Sequence, residues 1–158
     1  MNFLLDTLDR QFSHIHLRSC DFAGQIPQDK LYWKPRLLPR TFTMFSSGEY
    51  LLRSAAAVEQ SFGGITRRLW DDPFEWTLPE KLSTNEKLIE YLDEVEQTRR
   101  NGFSFFRSDL DLQKVMPAPE TMRSIFEILV DTIARAEHFQ GRAFAVSQTF
   151  SDDKLPPR

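Results

Sequence analysis

Cysteine is almost missing from this chain: of 158 residues only Cys20 carries a thiol. An internal disulfide is excluded, as is any zinc motif built from several cysteines, and a lone thiol suits a reducing compartment. Glycine is scarce at six residues and tyrosine at three, against fourteen phenylalanines. That balance favours a thick helical core over turn-rich β structure. Charge of one sign is lacking too. Twenty basic and 23 acidic residues give a formal net charge of −3, too even a field for nucleic-acid binding. No stretch approaches the roughly 18 apolar residues of a membrane span. The opening MNFLLDTLDRQF places acids where a signal peptide carries its apolar run. The expectation is a soluble cytoplasmic protein that binds neither nucleic acid nor membrane.

What is present is helical periodicity. Phe3, Leu5, Leu8, Phe12, Ile15 and Cys20 recur at three- and four-residue steps and predict a first helix over 2–24, ended by Gly24 and Pro27. A second helix is drawn over 41–68, with Ala55, Ala56 and Ala57 allowing a neighbour to approach and Gly63-Gly64 expected to kink or end it. The segment LWDDPFEWTLPEKL reads as a long loop whose Trp70, Phe74 and Trp76 lie against the helix ends or across a subunit interface. Ser83 to Glu86 fits a capping box opening a third helix with Leu88, Ile89, Leu92 and Val95 on its apolar face. The fourth and longest pattern runs from Thr121 to Phe150. Its stripe is Met122, Phe126, Leu129 and Ile133, with Ile125, Ile128, Ala136, Phe139 and Ala143 beside it on a wide buried face, and Pro119 leads into it. No segment alternates long enough to predict a strand. The length suits one domain, taken as 1–150 with a loosely ordered polar tail over 151–158. The fold expected is all-α, a four-helix bundle with long crossover connections.

The segments TFTMFSSGEYLL, LSTNEKLIEYLDEVEQTRRNGF and EHFQGRAF, in that order, resemble the DinB/YfiT-like four-helix-bundle superfamily. The resemblance covers nearly the whole chain. It implies a bundle fold and a divalent metal held by three histidines, one on the second helix and two, four residues apart, on the last, the second of them two residues before a glycine. With Gly141 as anchor, that pair falls on Arg135 and Phe139, and the second-helix position on Arg53 or Ser54. None of these offers a nitrogen lone pair. His138 is adjacent to the expected place but turned by about 100°.

Two readings follow. In the first, the chain is a divergent, metal-free member acting as a homodimeric binding or interaction module. Arg53 and Arg135 then point into the bundle mouth toward a small, anionic ligand, with Glu137, His138 and Phe139 beside them. In the second it is a metal-dependent hydrolase or thiol transferase with zinc, nickel or manganese on atypical ligands: His138, Glu137 and Asp131, with Glu49 or Glu59. A third possibility is a structural subunit docked through the tryptophan loop. Other chemistry-bearing groups have plain structural readings. Asp131 and Arg135 are spaced for an ion pair, and His138 packs toward the first helix near His14 or His16. His14 and His16 sit two apart on opposite faces and cannot chelate together. Cys20 reads as a small buried apolar residue, and Arg67-Arg68 and Arg99-Arg100 read as solvated charge pairs.

Overall fold

The computed structural model describes residues 2–35, 44–73 and 77–158. Four long helices dominate: α1 (Phe3–Gln25), α2 (Ser47–Arg67), α3 (Asn85–Phe103) and α4 (Ile125–Ser147), so the chain is of the all-α class. α2 packs on α3 and α4, and α1 packs on the same two helices from the other side. The enclosed core includes Leu8, Phe12, Leu51, Phe62, Leu92 and Leu129. Phe12 meets the edges of Phe62 and Phe103 at 5.5 and 5.8 Å, tying α1, α2 and α3 together. No helix among the described residues is long and apolar enough to cross a membrane.

The most extensive helix pair is α2 with α4, and small residues explain it. Ser47, Ser54 and Ser61 recur every seven residues on α2, one face two turns apart. Ser47 Oγ donates to the Ala143 carbonyl at 2.9 Å, and Ser54 Oγ to that of Ala136 at 2.8 Å. Thr132 Oγ1 donates to Ser61 Oγ at 2.6 Å. Each hydroxyl is buried, so each bond satisfies a group that would otherwise be costly to bury.

Several boundaries differ from the periodicity. α4 begins at Ile125, because Met122 belongs to a short hairpin, β1 (Val115–Pro117) with β2 (Met122–Ser124), that sequence periodicity did not predict. Pro119 lies in the turn of that hairpin. The buried face of α4 is Ile125, Ile128, Leu129, Thr132, Ala136, Gln140 and Ala143, while Met122 and Phe126 are exposed. The third helix is capped by Thr84, whose hydroxyl accepts from Lys87 N–H, one residue after the expected box. Full capping boxes stand instead at Ser46/Glu49 and Ser124/Glu127. Leu155 packs on the core and Pro156 is buried, so the tail lies against the helices. Thr41, Phe74 and Trp76, invoked above, fall outside the described residues.

α2 runs through Gly63-Gly64 without a break. A Cβ on Gly64 would collide with the indole ring of Trp70, which folds back from the left-handed Arg68 (φ 60°) that ends the helix. Two effects therefore oppose each other in Gly64→Ala: about 1 kcal/mol of helix propensity gained, and overpacking that costs about 1–3 kcal/mol. The ring core of Trp70 is the obstacle, so the second effect wins. Urea denaturation of Gly64→Ala is expected to show lower stability with a shifted Trp emission; a more stable variant would mean the indole is not seated there.

Candidate metal centre

Between α1 and α3 the packing changes character. On α1, Asp9, Ser13, His16 and Cys20 follow steps of four, three and four, a stripe beside the apolar one formed by Leu8, Phe12, Ile15 and Phe22. On α3, Asp93, Glu96 and Arg99 follow steps of three with Arg100 alongside. The helices run antiparallel. The Asn85 side chain donates to the carbonyls of Ala23 and Ile26 at 2.8 and 2.7 Å, fastening the end of α1 to the start of α3. At the other end Asp109 accepts from the N–H groups of Leu4 and Leu5, capping α1 where Asn2 makes no side-chain cap.

Arg99 is the anchor of this seam. It is 1% exposed, a correction to the solvated pair expected of Arg99-Arg100. Its Nε donates to Glu96 Oε2 at 3.0 Å, and its terminal nitrogens donate to Glu96 Oε1, Asp9 and Ser13 Oγ. Arg100, exposed, adds a bond to Glu96 Oε1 at 2.8 Å. Burial pushes the Glu96 carboxyl up, but the guanidiniums of Arg99 and Arg100 outweigh it and hold the group below its usual range. Burial likewise works against the Arg99 charge, and Glu96 and Asp9 overcome it. A carboxyl depressed in the folded state contributes stability above its unfolded value and loses it as pH falls through the folded one. In Glu96→Gln, the decline of the urea midpoint below pH ~4 is expected to flatten, while stability at neutral pH drops by roughly 3 kcal/mol. An unaltered acid limb would remove Glu96 from that role.

One turn along the same seam, three donor atoms converge. His16 Nε2 lies 3.2 Å from Asp93 Oδ1 and 3.7 Å from Cys20 Sγ, and Sγ lies 3.9 Å from Asp93 Oδ1. Among the described residues this is the one group of three His, Cys, Asp or Glu side chains whose donor atoms lie within 4.8 Å of one another. His16 and Cys20 share a face of α1 because they are four apart, and Asp93 comes from α3. The four-residue spacing of His16 and Cys20 is visible in the sequence; the approach of Asp93 from another helix is not. On its inner side His16 borders a cavity of about 30 Å³, shared with Ser19, Ser54 and Glu96, room for one or two waters. On the outer side the Asp93 side chain is 62% exposed.

The same trio has the composition of a thiol nucleophile with its base and orienting acid, but its setting opposes that chemistry. Cys20 lies in the last two turns of α1, the negative end of the helix dipole, with its N–H committed within the helix. Burial, then Asp93 and Asp21, push its thiol up to about 12. A divalent cation reverses the balance by displacing the thiol proton. In the metal-free protein, Cys20 is expected to react with iodoacetamide at neutral pH roughly a thousandfold more slowly than a free thiol. Rapid alkylation with a plateau near neutrality would instead mark an activated nucleophile.

The residues singled out from the resemblance are dispersed. The Arg53 guanidinium lies over the Phe45 ring at 4.2 Å, whereas Arg135 donates to Gln60 at 3.3 Å, seven residues further along α2, so the two do not flank one ligand. Phe139 stacks on Tyr50 at 6.4 Å. Glu137 pairs with Arg18 at 3.4 Å, and His138 is exposed against the Phe139 edge rather than turned to α1. Asp131 lies 3.8 Å from Arg123 rather than pairing with Arg135. Glu49 closes the α2 capping box and meets Lys34 at 3.3 Å, and Glu59 accepts from the Tyr91 hydroxyl at 2.7 Å. Each carboxylate proposed as an atypical ligand thus answers to a different local partner. Comparison with protein-family models, with curated proteins and with solved structures finds no match to this chain.

Proposed function

We propose that this chain is a metal-binding helical-bundle protein in which α1 and α3 hold a divalent ion of the zinc type through His16, Cys20 and Asp93. One observation carries the reading: the triangle of Nε2, Sγ and Oδ1, with edges of 3.2, 3.7 and 3.9 Å. Bonds of ~2.0–2.3 Å in a tetrahedral shell separate ligands by about 3.3–3.8 Å, so the spacing admits an ion once the imidazole turns its Nε2 toward Cys20, whose Sγ lies 3.8 Å from Nδ1 and 3.7 Å from Nε2. One thiolate, one imidazole and one carboxylate form a mixed set that suits zinc better than the hard cations. Charge supports it as well. Asp9, Asp21, Asp93 and Glu96 against Arg99 and Arg100 leave the surroundings two negative charges, with histidine counted neutral. A divalent ion that displaces the thiol proton offsets one of them.

In this reading the four helices and two long connections form the bundle that the DinB/YfiT-like resemblance implies, with the metal moved from the α2/α4 side to the α1/α3 side. The metal-free binding module expected from the lost histidines gives way to a metalloprotein. Three protein donors leave a fourth position, the arrangement of catalytic rather than closed structural zinc sites.

Isothermal titration of the full chain with zinc is expected to give one ion per chain. The midpoint of thermal unfolding should rise with zinc concentration by mass action. Cys20→Ser, His16→Ala and Asp93→Asn should each weaken binding by tenfold or more, and His138→Ala should leave it unchanged. Absence of saturable binding, or equal binding by Cys20→Ser, would sink the assignment.

A further inference from the structure

The proposed centre has a carboxylate close by that it does not use. Glu96 stands one turn after Asp93 on α3 and borders the same cavity as His16, near enough for its charge to act on Cys20. Yet it is outside the converging group, and both its oxygens are taken. Oε2 accepts from Arg99 Nε, and Oε1 accepts from Arg99 Nη2 and from Arg100 Nε. Arg99 is held in turn by Asp9 and Ser13 of α1. For Glu96 to swing onto an ion, a wholly buried guanidinium would have to lose its principal partner.

We propose that the Arg99–Glu96–Arg100 pairing keeps the metal centre open at one coordination position, and that this position exchanges neutral donors, water or an imidazole-type nitrogen, with solution. The inference rests on the metal reading above. Neutral donors follow from charge: the Cys20 thiolate and the Asp93 carboxylate already balance a divalent ion, and Asp21 and Glu96 stand nearby, so an anion is opposed. Access follows from exposure, since Asp93 is largely solvated and Cys20 is half-buried. Arg99 and Arg100 are here positioning residues, acting on the ion only through Glu96.

The test uses the full chain loaded with cobalt(II), in which a thiolate-to-cobalt charge-transfer band reports Cys20 ligation. Imidazole is expected to shift the visible d–d bands saturably while the thiolate band persists, and azide at the same concentration to leave them unmoved. In Arg99→Gln/Arg100→Gln, Glu96 is free to close the shell. Imidazole affinity should then fall about tenfold or more, cobalt should dissociate more slowly, and adding Glu96→Gln should restore the imidazole response. Should that double variant lose its helical circular dichroism, Arg99→Lys/Arg100→Gln carries the comparison, since a lysine keeps one positive charge in the seam but cannot hold both Glu96 oxygens, and imidazole affinity should move in the same direction. A thiolate band present but indifferent to imidazole overturns the open position. A response to azide equal to that to imidazole overturns the neutral-donor assignment. Unchanged imidazole affinity in the folded arginine variants overturns the role of the pairing. Absence of the thiolate band in the parent chain defeats the metal reading itself, a separate failure.

Discussion

A guanidinium with almost no contact with water sets the geometry of half this molecule. Arg99 draws its acceptors from two helices, Glu96 on its own and Asp9 and Ser13 on α1, so α1 and α3 meet in one register only. A slide of either helix by one turn would leave the charge without partners in a medium that solvates it poorly, a far larger penalty than the pair's net contribution to stability. Buried ion pairs are weak sources of stability and strong sources of specificity when, as here, one geometry alone satisfies them. Because His16 and Cys20 stand on the same stripe of α1 as Asp9 and Ser13, the register that satisfies Arg99 also brings them to Asp93.

The other half of the core is built on the opposite principle. Where α2 meets α4 the side chains are small, and serine hydroxyls two turns apart bond to backbone carbonyls of the neighbour. Small residues with locally satisfied hydroxyls admit close packing and leave little room for a ligand. At the start of α2, Phe45 edges onto Tyr50, Tyr50 stacks on Phe139 and Arg53 covers Phe45. Two of the positions on which the resemblance would place histidines, Arg53 and Phe139, are thus taken up by aromatic and cationic packing. A polar, loosely filled seam on one side and a dry, tight one on the other explain why the convergent donors lie between α1 and α3.

Helices of this length are legible in a sequence because a wide apolar face repeats many times, and the first, third and fourth lie where periodicity placed them to within a few residues; the second begins only at Ser47, after Met44 and Phe45, which the expected range 41–68 had put inside it. Facing was harder. On α4 the apolar reading holds for Ile125, Ile128, Leu129, Ala136 and Ala143, fails for the exposed Met122 and Phe126, and misses Thr132 and Gln140, which are inside because Ser61, Ser19 and the Ile15 carbonyl bond to them. Hydrophobicity alone turned the helix away from its polar but satisfied positions. The hairpin at Val115–Pro117 and Met122–Ser124 was invisible for another reason: three residues per strand carry no readable alternation. The donor cluster had one readable half, since His16 and Cys20 are four apart. Asp93 had none, as it reaches them only through an antiparallel pairing fixed by Asn85 and Arg99, neither of which advertises its partner by spacing. Arg99 beside Arg100 looked like surface charge because adjacent residues on a helix point about 100° apart, and one can be buried while its neighbour is solvated.

The scarcity of cysteine acquires a sharper meaning from this placement. A single thiol cannot build a closed sulfur cage, but it can be the soft donor in a mixed set. The mixed set in turn is what leaves the proposed shell unfinished. Cys20 by itself is a poor nucleophile, half-buried, at the negative end of α1 and close to the carboxylates of Asp93 and Asp21. Those same features favour a cation, because each one that discourages a free thiolate is relieved when a positive ion shares the site. An acid-rich pocket that disfavours ionising a thiol in isolation favours ionising it against a metal. The electrostatics that argue against thiol catalysis and those that argue for metal binding are therefore one field read with and without its counter-charge.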